Sequence, residues 1–291
     1  TNRMIRNLLV PVVLEQILNS IMGTADTMMV SNVGSAALSA VSLVDSINVL
    51  LIQAFSALAA GGAIVCAQYI GQRNYEKANM SARQVLFIIT AISVVVSAVC
   101  LIFQKPLLRL IFGAVDADVM RASEIYFFFT ALSFPFIAAY DSAASIFRAQ
   151  ENTKGPMTIS MISNIMNIGG NAVLIWVFHL GVAGAAISTL VSRIFCAVVV
   201  LWQLRKDRQP VVVRDYLKIR PDWSMIGRIL GLGIPSGIEN SMFQLGKLAI
   251  QSTVSTLGTA AIAAQAMTNI LEDLNGIAAI GVGVGLMTIV G

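Results

Sequence analysis

Long apolar runs separated by short polar breaks dominate this sequence. A helix that crosses a bilayer needs about 20 mostly apolar residues. Eight stretches meet that requirement: 5–30, 36–70, 81–103, 122–149, 157–178, 182–204, 224–256 and 260–291. Several exceed the minimum, which predicts tilt or extension beyond the bilayer. The polar breaks include 71–74, 150–156 and 205–222. The last is the longest and most charged. It predicts a linker between an N-terminal six-helix bundle, 1–204, and the first two helices of a second bundle, 223–291.

The chain repeats itself. Shifted by 224 residues, Pro11 falls on Pro235, Glu15 on Glu239, Gly34 on Gly258 and Gly61 on Gly285. Ala36, Ala37 and Ala40 fall on Ala260, Ala261 and Ala264 without a gap. The seventh and eighth runs therefore replay the first and second. An even number of spans precedes the replay, so the two copies share one orientation, as in transporters built from parallel repeats. The chain ends at Gly291 inside an apolar run and starts at Thr1. Both ends read as truncations of a protein with about twelve spans.

Polar residues inside the runs fall into stripes. On the first helix Glu15, Asn19, Met22 and Asp26 follow helical spacing. At 100° per residue, Glu15 and Asp26 lie about 20° apart around the axis and about 16 Å apart along it. The fifth helix carries Ser160, Asn164, Asn167 and Asn171, and the seventh carries Asn240, Gln244, Lys247 and Gln251. The second adds Asp45 and Asn48, and the eighth adds Gln265, Asn269, Glu272 and Asp273. Ionisable groups in a bilayer cost roughly 2.5–3.5 kcal/mol each and usually face a bundle interior. Three stripes at one period point to a polar cavity between helices. The competing reading is that such residues only join helices by hydrogen bonds worth about 0.6 kcal/mol each. Both readings stay open for the asparagine stripe, for Glu15 and for Glu239. Asp26 favours function, because a carboxylate is a costly way to make a structural hydrogen bond.

Pro11, Pro135 and Pro235 interrupt or begin helices and can bend them. Tyr140-Asp141, with Arg148 seven residues on, reads as an intrahelical network. Gly281-Val-Gly-Val-Gly285 follows no strand, so it reads as close helix packing and not as a nucleotide loop. His179 stands alone in a short turn.

Composition excludes a soluble globule. Hydrophobic residues make up 57% of the 291 and charged residues 12%, against roughly 25% charged in a soluble domain. The mean hydropathy is +0.80. The net charge of +4 does not mark a nucleic-acid binder, since the basic residues sit in interhelical segments and not on one face. With the first break placed outside, 14 of the 19 Lys and Arg fall inside, Lys105, Arg109 and Arg121 fall outside, and Arg193 and Lys247 lie within spans. This bias predicts a cytoplasmic N-terminus and a cytoplasmic linker in a multi-pass inner-membrane protein. Cys66, Cys100 and Cys196 are far apart in apolar runs and read as buried hydrophobes.

A family resemblance follows from the motifs. Pro11, followed fifteen residues later by Asp26-Thr-Met-Met-Val-Ser-Asn-Val-Gly34 and then Ala36-Ala-Leu-Ser-Ala-Val41, resembles the first-helix signature of multidrug and toxic compound extrusion (MATE) transporters. Ala67-Gln-Tyr-Ile-Gly71, Arg148-Ala-Gln-Glu-Asn-Thr-Lys-Gly-Pro156 and Gly184-Ala-Ala-Ile-Ser-Thr189 are similar to its later motifs, in order. The resemblance implies an all-α membrane bundle of parallel six-helix repeats around a central cavity, the second repeat incomplete here. It implies a secondary antiporter that exports small organic cations for Na⁺ or H⁺ without a cofactor, as a monomer in the lipid bilayer. Asp26 matches the aspartate that takes the coupling ion, Na⁺ included. Asn167, Asn171 and Thr189 match other positions of the N-lobe cation site, with Asn171 standing where those members carry a second aspartate. Glu15, Asn19, Asn164, Glu239, Gln244, Lys247 and Gln251 are cavity candidates. A glutamate further along the seventh helix in other members is here Phe243.

Two rival functions fit the sequence less well. A lipid-linked sugar flippase of related fold would line its cavity with Arg and Lys, whereas only Arg193 and Lys247 lie within spans. An intramembrane enzyme would need a nucleophile–base pair or a metal cluster. No HExxH and no Gly-x-Ser-x-Gly occurs.

Overall fold

The structure, a computed structural model, describes residues 2–113, 115–206, 208–257 and 259–290. Gly258, Gly291 and the linker residue Asp207 lie outside the described residues. The chain is all-α. Its helices are α1 (Asn2–Ser31), α2 (Ser35–Gly71), α3 (Tyr75–Ile102), α4 (Gln104–Phe112), α5 (Ala117–Leu132), α6 (Phe134–Ala149), α7 (Lys154–Asn171), α8 (Val182–Leu204), α9 (Trp223–Ser255) and α10 (Thr259–Val290).

Among the described residues five helices are long and apolar enough to cross a membrane, and α5 with α6 forms a sixth such span bent by 43°. At 33 residues α9 has the length, but it carries Arg228, Glu239 and Lys247 and falls outside that set.

The ends of the helices follow from local chemistry. Asn74 caps α3 by accepting from the Lys77 N–H at 3.2 Å, with Glu76 in the first turn. That cap starts the helix six residues before the apolar run at 81. Asp222 caps α9 by accepting from the N–H groups of Ser224 and Met225. These caps satisfy N–H groups that have no partner within the helix.

Three departures from the sequence expectation stand out. The run 122–149 is not one helix. It breaks at Ser133, because Pro135 in the first turn of α6 supplies no N–H to the turn before it. Pro11 and Pro235, by contrast, lie inside unbroken α1 and α9. The short amphipathic α4 was not expected, and the fifth run leaves the α-helix at Ala172 and continues as a π-helix to Val177.

The core is centred on α2 and α6. Phe55 and Phe134 meet edge to face at 6.1 Å, and Ala59, Ala63, Ala138, Ala143 and Ala144 are buried around them. Small side chains let the backbones approach, which is how membrane helices gain packing energy. α7 lies between α1 and α8, while α3 and α5 close the bundle against α2.

The second copy of the repeat packs on the first. α9 runs along α2 and α3, and α10 along α1. The 224-residue offset is kept in the helix ends: Ser31 closes α1 and Ser255 closes α9, while Ser35 opens α2 and Thr259 opens α10. Residues 205–222, between the bundles, are held to the first by hydrogen bonds and by buried Val211 and Val213.

Candidate functional site

The polar face of α1 meets the polar face of α7. Asn19 Oδ1 accepts from Asn164 Nδ2 at 2.7 Å and from Ser160 Oγ at 3.1 Å. Two turns further on, Asp26 Oδ1 accepts a short hydrogen bond from Asn171 Nδ2. Helical spacing brings both pairs into register, since 19 to 26 and 164 to 171 each cover two turns.

Asn171 is fully buried, and its Oδ1 has no hydrogen-bond partner. A buried acceptor without a donor costs about 1–3 kcal/mol. The atom sits on the residue that touches Asp26, at the last α-helical turn before the π-helix. A π-helix widens the backbone turn, and such segments are frequent at functional sites.

Of the other expected site residues, Asn167 and Thr189 take different partners. Ser188 Oγ donates to Asn167 O at 2.8 Å and approaches Asn167 Oδ1 at 3.2 Å. Gly170 makes room for it, since a Cβ there would collide with Ser188 Oγ. Thr189 turns its hydroxyl to its own helix, donating to Ala185 O at 3.0 Å. The structure thus joins Asp26 directly to Asn171, while Asn167 bonds Ser188 and Thr189 bonds its own helix.

Glu15 belongs to a separate cluster. It is 4% exposed and meets Arg148 of α6 at 3.4 Å, with the Tyr140 hydroxyl donating to it at 3.4 Å. Tyr140 also donates to Pro156 O at 3.0 Å. Tyr140, Asp141 and Arg148 interact electrostatically within α6, as expected, and the network also extends to other helices. Tyr140 and Arg148 reach α1, and Asp141 accepts from Ser56 of α2 at 2.8 Å.

Sequence reasoning missed the charge at the centre of this bundle. Arg193 of α8 donates to Ser133 Oγ at 2.5 Å and lies within electrostatic reach of Asp26, Asp45 and Asp141. Asp45 accepts from the Tyr126 hydroxyl at 3.0 Å and from Asn48 Nδ2 at 3.4 Å, and it couples electrostatically to Asp26. The available signal was Arg193's position in mid-span, one turn beyond Thr189 on the same face.

The candidates on α9 lie apart from this bundle. Lys247 pairs with Glu272 of α10 at 3.1 Å. Gln244 and Gln251 are half-buried on the same helix, and Glu239, the repeat mate of buried Glu15, is exposed. Among the described residues no three His, Cys, Asp or Glu side chains group as a metal site.

A probable multidrug resistance protein, YoeA of Bacillus subtilis, is 28% identical over 96% of this chain and 61% of its own length. A probable multidrug resistance protein NorM of Thermotoga maritima is 25% identical over 98% of this chain and 61% of its own. The chain thus spans about three-fifths of the length of these relatives. Among solved structures, an outward-facing multidrug resistance MATE family transporter of the MOP superfamily superposes with a TM-score of 0.89. It shares 20% identity and covers 98% of this chain and 63% of that one. A MOP superfamily transporter from Pyrococcus furiosus, described as having reverse polarity of its binding pocket, also gives 0.89, at 21% identity over 98% of this chain and 63% of its own. The MatE family model matches residues 11–173, more than half of the 291, and the chain belongs to the MatE family.

Proposed function

We propose that this chain is the ion-coupling part of a secondary efflux antiporter that exports organic cations in exchange for Na⁺ or H⁺. The multidrug resistance names of its relatives support export. The observation that carries the coupling role is the Asp26–Asn171 pair, a carboxylate against a buried amide whose oxygen lacks a donor.

The chemistry of the pair suits a monovalent cation. With Asp26 ionised, the Asn171 amide turns its N–H toward it. When Asp26 takes a proton it becomes a donor, and the Asn171 oxygen is then a matched acceptor. Na⁺ bound at Asp26 would draw on the same amide oxygen, since it is a hard cation that prefers oxygen ligands. Either event removes the negative charge and rotates the amide, so α1 and α7 meet differently in the two states. A ligand moves such an equilibrium by its difference in affinity for the two states. Cation entry down a membrane potential supplies about 2.3 kcal/mol per charge per 100 mV, enough to drive export.

The flippase reading gains no support here. Of the two in-span cations, Lys247 pairs with Glu272, and Arg193 lies within electrostatic reach of Asp26, Asp45 and Asp141. The proposal includes a monomer in the inner membrane with the N-terminus and the 205–222 linker cytoplasmic, as the Lys and Arg bias predicts.

The test is export by the full-length protein in proteoliposomes under imposed Na⁺ and H⁺ gradients. Asp26→Asn keeps the shape and removes the charge, so gradient-driven export is lost while the protein stays folded and inserted. Undiminished coupled export by Asp26→Asn would reject the role of Asp26.

A further inference from the structure

The linker between the bundles is strapped to α3 at two points. Asn79 Oδ1 accepts from Val212 N at 2.8 Å, and Asn79 Nδ2 reaches Pro210 O at 3.5 Å. Gln84 does the same further along, accepting from Asp222 N at 3.1 Å and donating to Arg220 O at 2.7 Å. Gln84 spends both its donor and its acceptor on linker backbone, while Asn79 holds the linker mainly through its oxygen, its amide nitrogen also donating to Tyr75 O at 2.7 Å.

Between the straps the linker bows away from α3 and leaves a cavity of about 950 Å³. Arg83, Arg214, Lys218 and Arg220 line it, together with Asp215 and Asp222. Asp222 is committed to capping α9 through Ser224 and Met225. The four cations outnumber the two carboxylates, so the lining is net positive and suits a phosphate group.

The surroundings identify where that phosphate comes from. A 3₁₀ turn, Tyr216–Lys218, contributes Lys218 to the lining and holds Leu217 fully out, at 103% exposure. Trp223, just past the linker, is 71% exposed. A leucine and a tryptophan displayed beside a cationic pocket form a membrane-interface pattern, with the rings and chains in lipid and the cations at the headgroups. Arg83 lies at the start of the apolar part of α3, where a cation meets lipid headgroups if the helix spans the bilayer. A free soluble anion would leave Leu217 and Trp223 without a partner.

We infer that the pocket between α3 and the interbundle linker binds the phosphate headgroup of an anionic phospholipid, with Leu217 and Trp223 seated among its acyl chains. The bound lipid ties the linker to the membrane surface. The inference does not depend on the coupling ion or the exported compound.

The experiment uses full-length protein purified in neutral detergent and native mass spectrometry. Phosphatidylglycerol, phosphatidylcholine and inorganic phosphate are added in separate arms. The protein should retain phosphatidylglycerol and not phosphatidylcholine, and inorganic phosphate should not displace it. Arg83→Gln with Lys218→Gln should lower retention roughly 30-fold, as expected for two cations facing an anionic surface. Leu217→Ser should lower it as well, which a free-phosphate site would not predict. Lys105→Gln with Arg109→Gln, remote from the linker, should change nothing. Gel filtration confirms that each variant is folded. Unchanged retention by the first pair, an equal loss in the second pair, or displacement by inorganic phosphate would overturn the inference.

Discussion

Gly61 of α2 and Gly233 of α9 touch backbone to backbone: a Cβ added to Gly61 would stand 2.6 Å from the Gly233 nitrogen. The same contact occurs again between α10 and α1, where a Cβ on Gly285 would collide with Leu9. Under the 224-residue offset, Gly61 becomes Gly285 and Leu9 becomes Gly233, so the two contacts are one contact seen twice. A Cβ on Gly281 would meet Val13 at 2.6 Å, and one on Gly237 meets Ala57 at 3.9 Å. The offset again exchanges those two pairs. The halves are thus related by a two-fold arrangement about the α1, α2, α9 and α10 crossings.

Gly61→Ala tests how much this contact matters. The added methyl meets backbone on α9, which cannot swing aside as a side chain can. Overpacking of this kind costs about 1–3 kcal/mol. The melting temperature of the purified protein should fall, and export should fall with it. Gly231→Ala, where nothing lies within 4 Å, is the matched control and should leave both unchanged.

Asn171→Asp adds a second carboxylate beside Asp26. Two carboxylates at one site cannot both ionise freely, so one holds a proton more tightly or the pair recruits a cation. Apparent Na⁺ affinity in the transport assay should rise, or the pH dependence of export should move toward higher pH. An ion dependence identical to that of the parent protein would assign the α7 stripe to packing alone.

The Glu15–Arg148 pair is buried and joins α1 to α6 at 3.4 Å. Removing one partner of such a pair leaves an uncompensated charge and costs about 3–5 kcal/mol. Glu15→Leu should therefore strongly lower thermal stability. Glu15→Leu with Arg148→Met should recover part of the loss, because the stranded charge is gone. A double variant as unstable as the sum of its singles would show that the two side chains do not interact.

Orientation is checked with single cysteines at Ser35 and Lys218, both exposed. Cys66, Cys100 and Cys196 are buried, so the native thiols give little background. In intact cells an impermeant thiol reagent should label Ser35→Cys and not Lys218→Cys. The reverse pattern would invert the topology.

Gln84→Ala removes one strap of the linker. Arg220 O and Asp222 N then lose their partners, and the segment opens more often. Limited trypsin digestion should cut at Arg214 or Lys218 faster than in the parent. An unchanged cutting rate would mean that Asn79 and the buried Val211 and Val213 hold the linker alone.

The sequence by itself determined the membrane bundle, the repeat and the helix faces. Apolar length and helical period are local quantities, and residues 224 positions apart can be compared without knowing where they lie. The same period placed Glu15, Asn19 and Asp26 on one face of α1, but it could not tell these carboxylates apart. Only tertiary structure did that, by bringing Arg148 from α6 to Glu15 and Asn171 from α7 to Asp26. Arg193 became central in the same way, because its neighbours Asp26, Asp45 and Asp141 come from three other helices. Charge partners across a bundle depend on helix rotation and depth, which packing sets and a one-dimensional pattern does not contain. The π-helix after Asn171 and the break before Pro135 were decided there too, because backbone irregularities persist only where neighbouring helices supply the missing contacts.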